Sequence, residues 1–328
     1  MNRLQSRRQE MLAAVSRYAA GPLARRLGLD ARAVAAEPAT RGARSLVYFL
    51  DVGGERRAVL RAVRRLPDAA KLAYNHSRLR ASGLPVARVL TASASPLTRL
   101  RWGFYPVVEE YIDGRHVAPR KASETAVRAV ARALARFHGV ERRRWGWPWF
   151  PRWGSYRKHY LARIARRARC VDEGLETGRS EELMAWFQAR AREAPLEPPY
   201  ALLHGRVHGT NFVVTPEGQA VALDLLECRF GSFAADVNWA LPRICGDDAQ
   251  RGAWFTETYF AHRPQAYREA FARSRPFFQA AYRLGRAAIY TRRARRARGR
   301  RAEKLERLRI HLAALADLTG IDMTADQR

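Results

Sequence analysis

Cysteine is scarce in this chain. Cys170, Cys228 and Cys245 are odd in number, far apart and without C-x-x-C spacing, which excludes a disulfide framework and a zinc or dithiol redox motif. Such thiols are expected to behave as small apolar residues. Lysine is nearly absent, with only four of the 60 basic residues. Acidic residues number 31, so the formal charge is +29. An arginine-rich composition follows from a GC-rich coding sequence, but the excess of positive charge does not, and it points to anionic partners. No apolar run approaches the roughly 18 residues of a membrane span. The basic start, Met1-Asn2-Arg3-Leu4-Gln5-Ser6-Arg7-Arg8, lacks the apolar stretch and cleavage site of a secretory signal, which predicts a cytoplasmic protein. There is no internal repeat.

At 328 residues with 47% hydrophobic content, the chain is long enough for two lobes or domains around sizeable cores. Residues 1–35 space Leu, Ala and Val among arginines as a helix would, with Gly28 or Asp30 as punctuation, and are expected to form a helical N-terminal extension. Two strand-like runs follow, Leu46–Leu50 and Arg57–Arg61, around the turn Asp51-Val52-Gly53-Gly54. A polar helix is expected over Asp68–Ser82, a strand after Gly83-Leu84-Pro85-Val86, and another over Phe104–Val108. Val127, Val130, Leu134 and Phe137 form a helical stripe ending at Gly139. Leu305, Leu308, Leu312 and Leu315 have heptad-like spacing, read as a core stripe rather than a coiled coil.

The most informative segment is His204-Gly205-Arg206-Val207-His208-Gly209-Thr210-Asn211, followed by Ala222-Leu223-Asp224-Leu225. Between them, Phe212-Val213-Val214, the turn Thr215-Pro216-Glu217-Gly218 and Ala220–Leu223 read as a hairpin that brings Asn211 and Asp224 together. With Asp236 in Gly231-Ser232-Phe233-Ala234-Ala235-Asp236-Val237, this string resembles the aminoglycoside phosphotransferase and choline kinase superfamily, with lipopolysaccharide kinases as near relatives. The resemblance spans roughly residues 40–240. It implies an α+β, two-lobed, protein-kinase-like fold: a small N-lobe with an antiparallel sheet over 36–110, and a larger, mostly helical C-lobe over 111–328.

The resemblance also implies ATP and Mg²⁺ as cofactors and assigns roles. Asn211 and Asp224 become the magnesium ligands, hard oxygen donors of the kind this ion takes one or two at a time. Taken singly, they also fit an Asx turn and a strand end. Arg61 replaces the lysine that clasps the phosphates, a chemically tolerable exchange because guanidinium binds phosphate bidentately. No acid lies between Lys71 and Arg80, so the clamp between that residue and a helix glutamate cannot be drawn. Gly42, in Ala39–Ser45, marks a phosphate-covering loop, and the backbone of Glu110 and Ile112 would meet the adenine edge. His204 orients the loop and Asp236 anchors it.

The departure is Arg206, which stands where the family has the aspartate that accepts the substrate proton. A guanidinium has no lone pair for this. The outcomes left open are a nucleotide-binding pseudokinase with a regulatory or scaffold role, another base with His208 as the nearest titratable group, or a different nucleotide transfer. The acceptor would be a small-molecule or lipid-linked hydroxyl, with an anionic one suggested by the charge. Arg142–Trp153 interleaves tryptophan with arginine in a proline-containing segment expected to be a loop. Arg292–Arg301 holds seven arginines in ten residues. Both suit the inner face of an anionic membrane as a peripheral contact, or, in the rival class, nucleic acid. Their plain alternatives are tryptophans folded back on the C-lobe and a solvated helix face.

Overall fold

The computed structural model describes residues 3–39, 46–118, 121–246, 248–296 and 301–324. The chain forms two compact units, Met1–Ala133 with His208–Cys228, and Leu134–Val207 with Arg229–Arg328. Elements below are numbered in chain order.

The first unit is built on an antiparallel sheet in the order β1-β2-β3-β5-β4, comprising β1 (Val34–Pro38), β2 (Leu46–Val52), β3 (Glu55–Val63), β4 (Val89–Ala92) and β5 (Tyr105–Glu110). Alternation sends Leu46, Tyr48 and Leu50 of β2 and Ala58, Leu60 and Ala62 of β3 to one face. There they meet Val15 and Tyr18 of α1 (Arg3–Tyr18) and Leu23, in one buried cluster. The helical start is therefore part of this core. Tyr48 donates its hydroxyl to the Arg8 carbonyl at 2.9 Å, and the buried Arg8 guanidinium donates to the Ala39 carbonyl. Gly28, at φ 67°, ends α2 (Ala24–Leu27), and Asp30 caps a short turn through Arg32 N–H at 2.9 Å. The strand β1 lies partly within 1–35, where a helix was expected; it is held by its ladder to β2, which local spacing does not encode.

The other sheet face is covered by α3 (Leu66–Ala81), whose Ala69 and Leu72 bury against Tyr105 and Val107. A short α4 (Pro96–Trp102) and β6 (Arg115–His116) follow, and α5 (Glu124–Gly139) carries the predicted stripe. The hairpin of β11 (Phe212–Val214) and β12 (Ala220–Ala222) extends through β6 into a small sheet ordered β12-β11-β6. Gly114, at φ 147°, passes so close that a Cβ there would lie 2.3 Å from the Val214 carbonyl oxygen.

The second unit holds the sheet β7-β10-β13-β8-β9, from β7 (Glu141–Arg142), β8 (Trp145–Trp147), β9 (Phe150–Arg152), β10 (Tyr200–Leu203) and β13 (Arg229–Gly231). Around it lie α6 (Tyr156–Leu175), α7 (Ser180–Arg190), α8 (Phe233–Ala240), α9 (Ala249–Ala261), α10 (Gln265–Arg296) and α11 (Arg301–Thr319). Tyr160, Phe187, Phe277 and Phe278 form an aromatic core with ring centroids 5.5 Å (Phe187 to Phe277) and 5.7 Å (Tyr160 to Phe278) apart. Leu308, Leu312 and Leu315 are buried, as a core stripe requires. All three cysteines are free; Cys228 and Cys245 are buried and Cys170 half-buried.

The segment expected as a loop over Arg142–Trp153 is instead a β8–β9 hairpin, with Gly146 opposite Pro151. Pro151 is compatible with β9 because that strand is the sheet edge, where a missing N–H costs no ladder bond. Trp145 is buried and donates Nε1–H to the Gly154 carbonyl at 2.9 Å, whereas Trp149, Phe150 and Trp153 are exposed. Arg292, Arg293, Arg295 and Arg296 are exposed at the end of α10, and 297–300 lie outside the described residues. No helix among the described residues is long and apolar enough to cross a membrane.

Candidate functional site

In the first unit the hairpin register fixes the geometry. Phe212 faces Ala222, so Asn211 and Asp224 stand at the same end of the ribbon. Leu223 N–H closes that end by donating to the Asn211 carbonyl at 2.8 Å. Asn211 ends the turn Gly209–Asn211 and is almost buried. Asp224 is half-buried and adopts φ 58°, ψ 58°, a left-handed conformation costing an L-residue about 1 kcal/mol. Such strain marks places where a side chain must be aimed. Asn75 of α3 holds the next residue by donating Nδ2–H to the Leu225 carbonyl at 2.7 Å.

Arg61 lies on the β3 face turned toward α3. Its Nε donates to Glu109 Oε1 at 2.9 Å, with 11% and 2% of the two side chains exposed. His76 of α3 reaches the same carboxylate oxygen with Nε2 at 3.4 Å, and its Nδ1 lies 3.0 Å from the Ala87 carbonyl. Desolvation opposes both charges of the pair, yet attraction outweighs it. Glu109 and Asp224 raise the Arg61 guanidinium, while Arg61 and His76 hold the Glu109 carboxyl below its usual range. The acid missing from α3 is thus supplied by β5, and α3 contributes a histidine where a glutamate was sought. Residue order alone hides this, because Glu109 looks like the end of an apolar strand. Its visible trace is a charge in the run Val107-Val108-Glu109, one step diagonal from Arg61 across an antiparallel pair.

Glu110 donates its N–H to the Arg88 carbonyl at 2.9 Å, and its carboxylate accepts from Arg88 N–H at 2.7 Å and from Arg80 at 3.1 Å. Ile112, half-buried, follows just beyond β5. Gly42 lies outside the described residues. His208 caps the Gly209–Asn211 turn: its Nδ1 accepts from Thr210 N–H at 3.3 Å and lies 3.0 Å from Thr210 Oγ1. A ring nitrogen that accepts this bond is engaged in holding the turn.

In the second unit, Gly205 has φ 76° and donates its N–H to both Asp236 oxygens, at 3.2 and 3.1 Å. Arg206 N–H donates to His204 Nδ1 at 3.3 Å. Behind them His138 sets Nε2 3.6 Å from Asp236 Oδ2, and its Nδ1 is 2.7 Å from the Tyr259 hydroxyl. Burial lowers His138 and keeps it neutral. Burial opposes the Asp236 charge, but the groups around it, His138, His204 and Gly205 N–H, hold this carboxyl below its usual range. The half-buried Arg206 shares its surroundings with further cations. Arg243 is lowered by burial and by the like charges of Arg286 and Arg206.

Among the described residues no group of three or more His, Cys, Asp or Glu is placed to hold a metal. The donor set that fits a hard divalent cation is the amide and carboxylate oxygens of Asn211 and Asp224.

The model of the phosphotransferase enzyme family matches residues 35–277. The chain belongs to this family. A comparison with curated protein sequences finds no match. Among solved structures, this phosphotransferase-family chain is similar to a macrolide 2'-phosphotransferase from Brachybacterium faecium, at 16% identity and TM-score 0.58, covering 93% of this chain and 98% of that one. It is similar to the ADP-bound aminoglycoside phosphotransferase APH(2'')-Ib, at 12% identity and TM-score 0.61, covering 91% and 97%. It is also similar to an ethanolamine kinase from Plasmodium vivax, at 10% identity and TM-score 0.60, covering 89% and 83%. At such identities the likeness shows the fold, which is the two-lobed kinase-like α+β fold expected from the His204–Asp224 string.

Proposed function

We propose that this member of the phosphotransferase family binds ATP with magnesium and transfers a phosphoryl group to a small-molecule or lipid-linked hydroxyl, through a loop without a general base. The supporting observation is that one compact unit assembles Asn211 and Asp224 at one ribbon end with Arg61 in the field of Asp224. Asp224 and Asn211 would hold the ion, whose bound charge would offset that of the phosphate oxygens. Arg61 would grip a phosphate through its planar fork, with Glu109 and His76 fixing its direction. The Glu110–Ile112 backbone would meet the adenine edge, and the loop containing Gly42 would cover the phosphates.

Arg206 offers a cation and no lone pair, and His208 spends its accepting nitrogen on a turn. Positioning and electrostatics dominate phosphoryl transfer, so loss of the base slows it by roughly 100- to 10,000-fold without abolishing it. The company of Arg243 and Arg286 favours an acceptor carrying negative charge. The exposed Trp149, Phe150 and Trp153 among arginines support peripheral contact with an anionic membrane as the route to such an acceptor.

A second reading, a nucleotide-binding pseudokinase, is favoured by the two loop residues just described. Thermal stabilisation by ATP, with and without magnesium, and ATP consumption separate the two. The transferase is expected to show magnesium-dependent stabilisation together with turnover, both lost in Asp224→Ala. Stabilisation without turnover marks the pseudokinase. Absence of both sinks either reading, and tight, steeply salt-dependent nucleic-acid binding that survives Asp224→Ala would put the protein in another class.

A further inference from the structure

Within the second unit, the helices α6 and α10 cross closely enough that a Cβ on Gly174 would lie 2.1 Å from Thr291 Cγ2. Beside that crossing opens a cavity of about 410 Å³, lined by Arg163, Arg166, Arg167, Arg169 and Arg292, with Glu173 the one acid on its wall. Arg163 and Arg167 are half-buried, and the others stand at the rim. The Arg167 guanidinium rests on Gly285 of α10, where a Cβ would come 3.1 Å from its Nη1, so the bare backbone provides the space it fills. No carboxylate lies within ion-pairing distance of Arg163, Arg166 or Arg167 among the described residues.

Such an arrangement works against itself in the free protein. Burial first, and then Arg163, Arg229 and Arg292 as like charges, push the Arg167 guanidinium down to about 10, and Arg163 is lowered the same way. His159, one turn before Arg163 on α6, is pushed down to about 4 by burial and by Arg163, Arg152, Arg166 and Arg229. Long arginine side chains on a solvated surface spread apart to avoid this. Here two helices and a glycine hold them convergent around a hollow. Guanidinium forks bind phosphate oxygens in pairs, and five of them against one glutamate exceed the charge of a single phosphate.

We infer that the cavity between α6 and α10 is a binding site for a compact polyanion, a ligand bearing two or more phosphate groups. The volume falls within the range of small-molecule sites, roughly 300–1,000 Å³, and the wall is concave, which suits a clustered phosphate better than a long duplex. The same chemistry is carried by a soluble polyphosphate and by a phospholipid headgroup that holds two phosphates, such as that of cardiolipin. The site is separate from Asn211 and Asp224 in sequence and compact unit, and it does not depend on phosphotransfer.

The test uses the full chain in EDTA, with inositol hexakisphosphate titrated calorimetrically, and in parallel with vesicles of cardiolipin or phosphatidylcholine in a sedimentation assay. Expected are saturable one-to-one binding of the hexakisphosphate or selective sedimentation with cardiolipin, each weakened at least about tenfold in Arg163→Gln/Arg167→Gln, because two charge-assisted contacts are lost. Which arm responds identifies the source. Asp224→Ala should bind the probe as the parent does. The double variant should also unfold no earlier than the parent when unliganded, since repulsion is relieved. Should it fail to fold, the rim variant Arg166→Gln is expected to weaken binding about threefold or more. The assignment is overturned if neither arm shows binding, if binding persists unchanged in these variants, if it is lost in Asp224→Ala, or if a DNA duplex of equal phosphate content binds far more tightly than the hexakisphosphate.

Discussion

Replacing Glu109 by glutamine keeps the side-chain shape and an oxygen that accepts from Arg61 Nε, but removes the charge that compensates a buried guanidinium. The carboxylate side chain is 2% exposed and its partner 11%, so solvent cannot substitute for the missing charge. Breaking such a pair costs about 3–5 kcal/mol, and because one hydrogen bond survives, the lower end, about 3 kcal/mol, is expected. At roughly 2 °C per kcal/mol for a chain of this size, the midpoint of thermal unfolding should fall by about 6 °C at pH 7. By contrast, the exposed pair Arg57–Glu55, with 66% and 69% of its side chains open to water, should contribute at most about 1 kcal/mol. A double-mutant cycle with Arg61→Gln isolates the pair, with a coupling of about 2 kcal/mol or more expected. Because folding lowers the Glu109 carboxyl from its ordinary 4.5, the stability it contributes is complete above that pH and lost as pH falls through the folded value. Parent and variant should therefore converge in acid. A Glu109→Gln loss within about 0.5 kcal/mol at pH 7, or a coupling that small, would refute the claim that Arg61 is held by this charge.

Asp236 is also lowered from its ordinary 3.8, so its contribution is complete above that pH and disappears below it; the acid limb of stability, followed by circular dichroism, should lie below about pH 4.5 and flatten in Asp236→Asn. Gly114→Ala places a methyl 2.3 Å from the Val214 oxygen and 2.8 Å from Val213 Cγ1, and should cost about 2 kcal/mol or more in urea unfolding, whereas a cost under about 0.5 would show that β6 can move aside. His208→Ala removes the cap of the Gly209–Asn211 turn and should cost about 1 kcal/mol in stability, with ATP consumption changed less than about tenfold; a larger kinetic loss would make this imidazole the base. Arg206→Asp places a carboxylate at the position that now lacks a lone pair and should raise ATP consumption at least about tenfold; a fall would give the arginine a role of its own.

The legible parts of this protein are those where local chemistry and tertiary structure agree. The turn at Gly53-Gly54 and the apolar runs beside it announce β2 and β3, and Phe212–Ala222 announces the ribbon that unites Asn211 with Asp224. What the sequence hid depends on partners distant along the chain. The strand β1 exists through its ladder to β2. The β8–β9 hairpin has a proline that only an edge strand accepts. Glu109 meets Arg61 across 48 positions, and a search limited to the following helix misses it. The α6 arginines read as one solvated face among many until α10 brings Gly285 beneath Arg167.

The two hydrogen bonds from Gly205 to Asp236 have a practical outcome for anyone altering this molecule. They grip the main chain one residue before position 206, and the next amide is caught by His204, so neither contact consults the side chain that follows. Substitution there should leave these backbone contacts in place, so a library at this single codon would vary the chemistry on a loop whose main chain is still held.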